Sequence, residues 1–170
     1  MRMWVVRSHP QISTAEQAMA GWVVAGCVRR DIADRISRVA RSVGVVRWIV
    51  DGMNVIGTRP DGWWKHRRRA MVGLVGQLER WATAEGDEVT VVFERPLSPP
   101  ICSSVIEIAH APLAAANSAD DEIVRLVQAD ARPKDIRVVT SDKTLTERVA
   151  RAGASAYPAE SFRNLIDPLH

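Results

Sequence analysis

Arg47-Trp48-Ile49-Val50-Asp51-Gly52-Met53-Asn54 is the stretch on which the fold turns. Three consecutive apolar residues, two of them β-branched, read as a short buried strand that Asp51-Gly52 ends abruptly. A carboxylate is thereby set on the lip of an apolar sheet, where an open α/β sheet has its ligand crevice. Asn54 is close enough in sequence to share that crevice. Asp-Gly is equally ordinary turn chemistry. Other carboxylates arriving at the same edge decide between the two.

Working outward, Ile56 to Gly62 reads as a loop by its Gly and Pro punctuation. Met71, Leu74, Val75, Leu78, Trp81 and Ala82 recur at helical spacing and predict a helix from about Trp64 to Ala84. Val89 to Phe93 is a second strand, almost continuously apolar as a strand covered on both faces should be, with Glu94 at its exit. A proline-rich connection leads to a third strand over Ser104–Ala109, where Glu107 suggests an edge. Ser118 is placed to N-cap a helix running to about Ala129. Ile136–Thr140 is the fourth strand, and Ser141-Asp142 opens a helix through Ala152. A short strand over Ala154–Tyr157 and a helix from Glu160 complete the chain. Strands alternating with helices predict an α/β fold with a mostly parallel, doubly wound sheet of about five strands. Right-handed crossovers then bring every strand exit to one edge.

Four acids are expected at that edge. Asp51 follows the first strand, Glu94 the second and Asp142 the fourth, while Asp120 opens the helix between the third and fourth. Ile123, Val124 and Val127 lie at i+3, i+4 and i+7 from Asp120, which turns it inward, and Asp121 falls on the face of Arg125. Clustered carboxylates raise one another's pKa. A hard divalent cation resolves the conflict, and an all-oxygen donor set fits Mg²⁺ or Mn²⁺. The plainer alternative makes Asp120 and Asp121 first-turn acids and Asp142 an N-cap. There is no G-x-S-x-G elbow and no Gly-rich phosphate loop. His66 and His110 stand alone and read as structural or surface histidines, and Cys102 as a small apolar filler.

The 170 residues suffice for one domain and a terminal extension, and 46% hydrophobic with 25% charged residues is ordinary for a globular chain. Two cysteines without a CxxC or Cys/His cluster argue against zinc and against a disulfide scaffold, and suit a reducing, cytoplasmic setting. Net charge is +3, but residues 1–46 hold seven Arg against three acids, so the basic excess belongs there. Residues 1–45 are read as a basic extension, helical or partly disordered, with an amphipathic pattern over Arg29–Arg41, and residues 46–170 as the domain. Val24-Ala25-Gly26-Cys27 mimics a lipoprotein cleavage box, but its apolar run is short and no segment reaches the ~18 apolar residues of a membrane span. Trp63-Trp64-Lys65-His66-Arg67-Arg68-Arg69 begins nine residues after Asn54. Adjacent aromatics beside a basic run offer base stacking and phosphate pairing, the chemistry of single-stranded nucleic-acid binding. Arg59 and Lys143, near the same edge, join Trp63, Trp64, Lys65, Arg67, Arg68 and Arg69 as expected RNA contacts.

Asp51-Gly52-Met53-Asn54, Ser118-Ala119-Asp120-Asp121-Glu122 and Thr140-Ser141-Asp142, in this order and spacing, resemble the NYN-domain family, specifically its YacP-like branch within the PIN-like nuclease superfamily. The resemblance spans about residues 46–168. It implies a PIN-like three-layer α/β/α sandwich and a metal-dependent endoribonuclease, with a role in ribosome-associated messenger-RNA decay or RNA processing. It also implies that Asp51, Asp120 and Asp142 form the acidic core, that Asn54 and Ser141 orient ligands or water, and that Asp121 assists. The family commonly has Asp where this chain has Glu94, and the basic extension lies outside its pattern. A non-catalytic RNA- or ribosome-binding module on the same fold is the alternative. A phosphatase is a more distant one, since Met53 stands where an aspartyl-phosphate enzyme would carry its second Asp.

Overall fold

The computed structural model describes residues 45–96, 98–111 and 118–167; the extension expected over residues 1–45, with its amphipathic stretch, lies almost wholly outside them. Five strands form one sheet: β1 (Arg47–Asp51), β2 (Glu88–Phe93), β3 (Glu107–His110), β4 (Ile136–Val139) and β5 (Ser155–Tyr157). All neighbouring pairs are parallel and the order is β3-β2-β1-β4-β5. Both layers of helices are present, so the sheet is the middle of a three-layer α/β/α sandwich. Helices α1 (Gly52–Gly57), α2 (Arg67–Glu85) and α5 (Ala159–Ile166) cover one face, and α3 (Ser118–Gln128) and α4 (Lys143–Arg151) the other.

The central strand shows why. Trp48 and Val50 point into the core shared with α2 and α5, while Ile49 points into the core under α3 and α4. With both faces covered, β1 carries only apolar residues between Arg47 at its half-buried start and Asp51 at its last position. Trp48 is ringed by Trp81, Tyr157 and Phe162 at centroid separations of 5.4, 5.4 and 5.1 Å, and its indole N–H donates to Asp87 Oδ2 at 2.9 Å.

Several local expectations are corrected. The loop expected over Ile56–Gly62 begins only after Gly57, because Gly52–Gly57 is a short helix, and a 3₁₀ turn over Trp63–His66 precedes α2, which starts at Arg67 rather than about Trp64. The third strand begins at Glu107 rather than Ser104, because Ser103 Oγ accepts from the amides of Val105 and Ile106 and holds that segment in a turn. Glu107 does lie on an edge strand. Ser118 is already inside α3 and directs its hydroxyl to Glu94 O at 3.5 Å. Cys102 is exposed and does not stand as a free thiol, unlike the apolar filler expected. No described helix is long and apolar enough to cross a membrane.

Gly52 is fixed by contact. A Cβ there would stand 2.3 Å from Phe93 Cε1 and 2.8 Å from Cδ1, and the Phe93 ring is fully buried at the exit of β2. Gly52→Ala is expected to lower unfolding free energy by about 1–3 kcal/mol, the range for an overpacked core. Phe93→Leu in the same chain should recover part of the loss. Urea denaturation of the two single variants and the pair measures this, and additive losses would refute the contact.

Candidate active site at the strand exits

The strand order places a switch point between β1 and β4, because the chain leaves β1 for β2 and β3 on one side and returns to β4 on the other. Ligand crevices of open α/β sheets lie outside the strand ends at such a point. Asp51 ends β1 here, and Asp142 follows β4 by three residues.

Asp51 is 6% exposed and N-caps α1, its Oδ1 accepting from the amide of Asn54 at 3.1 Å. Asn54 reaches across the crevice as well, its Oδ1 accepting from the amide of Ser141 at 3.2 Å. Ser141 Oγ in turn accepts from the amide of Ala159 at the start of α5. Asp142 N-caps α4, Oδ1 accepting from the amide of Leu145 at 2.8 Å, while its own amide donates to the buried Thr140 hydroxyl. The capping role and the crevice position are thus held by the same residues.

Burial holds the Asp51 carboxyl at about 6 rather than 3.8; the Asn54 amide opposes the rise and the charge of Asp120 adds to it. Asp120, half-buried in the first turn of α3, is also raised, first by desolvation and then by Asp142, Asp121 and Glu94, with Arg148 opposing. Asp120 is therefore the electrostatic hub of the edge. The inward orientation read from helical spacing agrees with this. Asp121 shares a helix with Arg125 but pairs elsewhere: Arg148 Nη2 of α4 donates to Asp121 Oδ1 at 2.6 Å, and Arg125 clasps the buried Glu122. Glu94 is ion-paired to Arg67 at 2.9 Å beside a cleft of about 260 Å³ lined by Met53, Met71 and Phe93. Among the described residues, no three His, Cys, Asp or Glu side chains stand as a ready ligand group for a metal ion. The donor chemistry fits a hard divalent cation, with all-oxygen side chains and two carboxyls raised by burial and mutual repulsion, but the ring of ligands is not closed in this arrangement.

The basic loop divides. Trp64 is 59% exposed and Lys65 is exposed beside it, whereas Trp63 packs on the core and meets Trp64 edge to face at 6.2 Å. Arg67 is held by Glu94 and Arg68 by the carbonyl of Pro99 at 2.6 Å. Arg59 is engaged by Asn164 and Asp167 of α5 and its C-terminal cap, both at 2.8 Å, rather than turned to the acids. Lys143 is exposed at the start of α4, and Arg69 lies along α2. Arg148 is the residue that sequence reading missed; nothing local marks it, because its partners lie on α3. His110, packed on Phe93 at 6.4 Å, is lowered by burial, in keeping with a structural histidine.

A family model for the YacP-like NYN domain matches residues 48–170. Among solved structures the chain is similar to Rae1 (YacP) from Bacillus subtilis. A tryptophan-to-leucine mutant of that protein is 25% identical, covering 71% of this chain and 75% of that one, at a TM-score of 0.59. A second Rae1 (YacP) structure is 26% identical over 69% and 72%, at 0.56. No curated protein matches by sequence.

The raised Asp51 carboxyl has a stability consequence. The folded chain holds this proton more tightly than the unfolded one, so the contribution is complete below about pH 3.8 and is lost as pH rises through about 6. Asn at this position keeps an N-cap acceptor and carries no charge. Asp51→Asn is therefore expected to match wild type at pH 4 and to exceed it by up to about 3 kcal/mol at pH 7.5 without added divalent cation. Urea unfolding at the two pH values measures the gap, and a pH-independent gap would refute the desolvation of Asp51.

Proposed function

We propose that this chain, which belongs to the YacP-like NYN family, is an endoribonuclease that depends on Mg²⁺ or Mn²⁺. The observation that carries the reading is the position of Asp120. It feels Asp51, Asp142, Asp121 and Glu94 together at the switch-point crevice of a nuclease-type fold. Asp51, Asp120 and Asp142 are the residues that would hold the cation, while Glu94 has one oxygen engaged by Arg67. Such a cation, when bound, supplies Lewis-acid polarisation and lowers the pKa of water.

The chain's own residues do the rest. Asn54 fixes Asp51 on one side and the Ser141 amide on the other, so one residue sets the spacing of the two strand exits. Ser141 anchors that loop to α5, and Arg148 keeps Asp121 out of the centre while offsetting the charge of Asp120. Trp64 presents an exposed aromatic face for a base, and Lys65 and Lys143 present cations for phosphates. In the reaction, a water oxygen bonds to phosphorus in line with the departing O3′, the P–O3′ bond breaks, and a proton passes from the water to O3′. The products are a 5′-phosphate and a 3′-hydroxyl. Single-stranded RNA is the substrate class, and cytoplasmic, ribosome-associated messenger-RNA decay or RNA processing is the setting that the family resemblance suggests.

A second reading is favoured by one observation. With Glu94 on Arg67 and Asp121 on Arg148, no three-carboxylate group is preformed among the described residues. That suits a module that binds RNA without cutting it. Cleavage of single-stranded RNA with Mn²⁺ distinguishes the two. Asp51→Asn and Asp120→Asn should each lower the rate by roughly a hundredfold or more, the scale of losing a positioned acid–base group. Asn54→Ala should cost about 10–100-fold, as loss of an orienting partner does. Undiminished cleavage in the Asp variants would end the nuclease reading. Calorimetry showing RNA affinity without Mn²⁺ binding would establish the second.

A further inference from the structure

A sizeable hollow of the described residues lies away from the acids. A groove of about 680 Å³ runs along α2, between the 3₁₀ turn and Arg163 of α5. Its floor includes Gly73 and Gly76, both inside a 19-residue helix, where glycine weakens the helix relative to alanine. Neither has a left-handed φ, and a Cβ on Gly73 would meet nothing within 4 Å. Packing within the described fold therefore gives no reason for glycine at position 73. What it does is leave the helix backbone bare to the groove.

Three arginines border this floor, Arg69, Arg80 and Arg163, against one acid, Asp61, whose Oδ1 already accepts from the amide of Trp63. Arg163 is held by Asp167 at 2.9 Å, whereas Arg69 and Arg80 have no ion pair among the described residues. Arg80 lies across the bare helix, its Nη1 3.6 Å from where a Gly76 Cβ would stand. Eleven residues of helix separate Arg69 from Arg80, roughly 16 Å at the rise of an α-helix. Trp63 lines the upper end, next to the helix start where Arg67 meets Glu94 at the acid edge.

The geometry points to this groove as a subsite for single-stranded RNA flanking the cleaved bond, with Arg69 and Arg80 on two phosphates of the strand that are not neighbours. This rests on the ribonuclease reading above. The charge pattern selects the occupant: a polyanion complements the arginines, while residues 1–46, with seven Arg against three acids, would meet like charge. A strand leaving the acids over the 3₁₀ turn continues naturally along α2.

The test uses the full chain carrying Asp51→Asn, so that RNA is bound and not consumed, and reads fluorescence anisotropy of labelled single-stranded RNA, a hexamer and a 16-mer. Adding Arg69→Ala and Arg80→Ala should weaken the 16-mer about tenfold or more and flatten its log–log salt dependence by about 1.4, two phosphates at about 0.7 each. Gly73→Leu, whose side chain enters open space, should also weaken the 16-mer. The hexamer should bind all variants alike. Unchanged 16-mer affinity and salt slope in both variants would overturn the subsite while leaving the ribonuclease reading standing. Failure of the parent chain to bind either RNA would remove that reading, and the subsite with it. Equal loss for the hexamer, or a changed oligomeric state by light scattering without loss of RNA affinity, would also overturn it, the latter making the groove a contact between copies.

Discussion

Burying a carboxylate at the end of the central strand is the constraint on which the rest of this structure depends. Desolvation alone moves such a group toward its neutral form, and among the described residues no basic side chain acts on Asp51 to reverse that. What offsets the cost is local: the amide of Asn54 and the free N–H groups of a helix that starts at once. The helix can start at once only because Gly52 lets the chain pass against the Phe93 ring. One interaction thus ties together the exit of β1, the exit of β2 and the opening of α1. Through Asn54 it also reaches the segment that follows β4.

The same logic separates what was legible in the sequence from what was not. The strands were readable because a parallel sheet covered on both faces demands unbroken β-branched runs, and Ile49-Val50, Val91-Val92 and Val138-Val139 meet that demand locally. The stripe of α2 was readable for the corresponding helical reason. The short helix after Asp51 was not, since two glycines in six residues argue against helix by propensity. Its stability comes from the Asp51 cap and the packing of Val55 and Ile56, which only the tertiary fold supplies. β3 was misplaced because Val105 and Ile106 have strand composition, while the Ser103 hydroxyl takes their amides out of any ladder.

Charged partners were the least legible of all. Arg59 finds Asp167 across 108 positions of sequence, and Arg148 finds Asp121 across 27. No local pattern encodes such pairs, because long side chains are placed by the packing of whole elements. Sharing a helix face did not decide the partner of Arg125 either: the adjacent Glu122 is within its reach and accepts two hydrogen bonds from it. By contrast, the position of each acid at its strand exit was readable, because it follows from topology.

The basic, aromatic stretch shows how one sequence signal can divide into several structural roles. Its members span a turn and the first turn of a helix, so they cannot share a face. Trp63 goes to the core, Trp64 to the open surface, Arg67 to an acid of the site and Arg69 to the groove on α2. A run of positive charge read as a single patch would have been assigned one ligand contact. The fold instead aims these side chains from the acid edge and along α2, a distribution that suits an extended chain molecule better than a compact one. It also explains why Arg80 and Arg163, isolated in the sequence, belong to the same surface: helical rise and the approach of α5 bring them there, and adjacency in sequence does not.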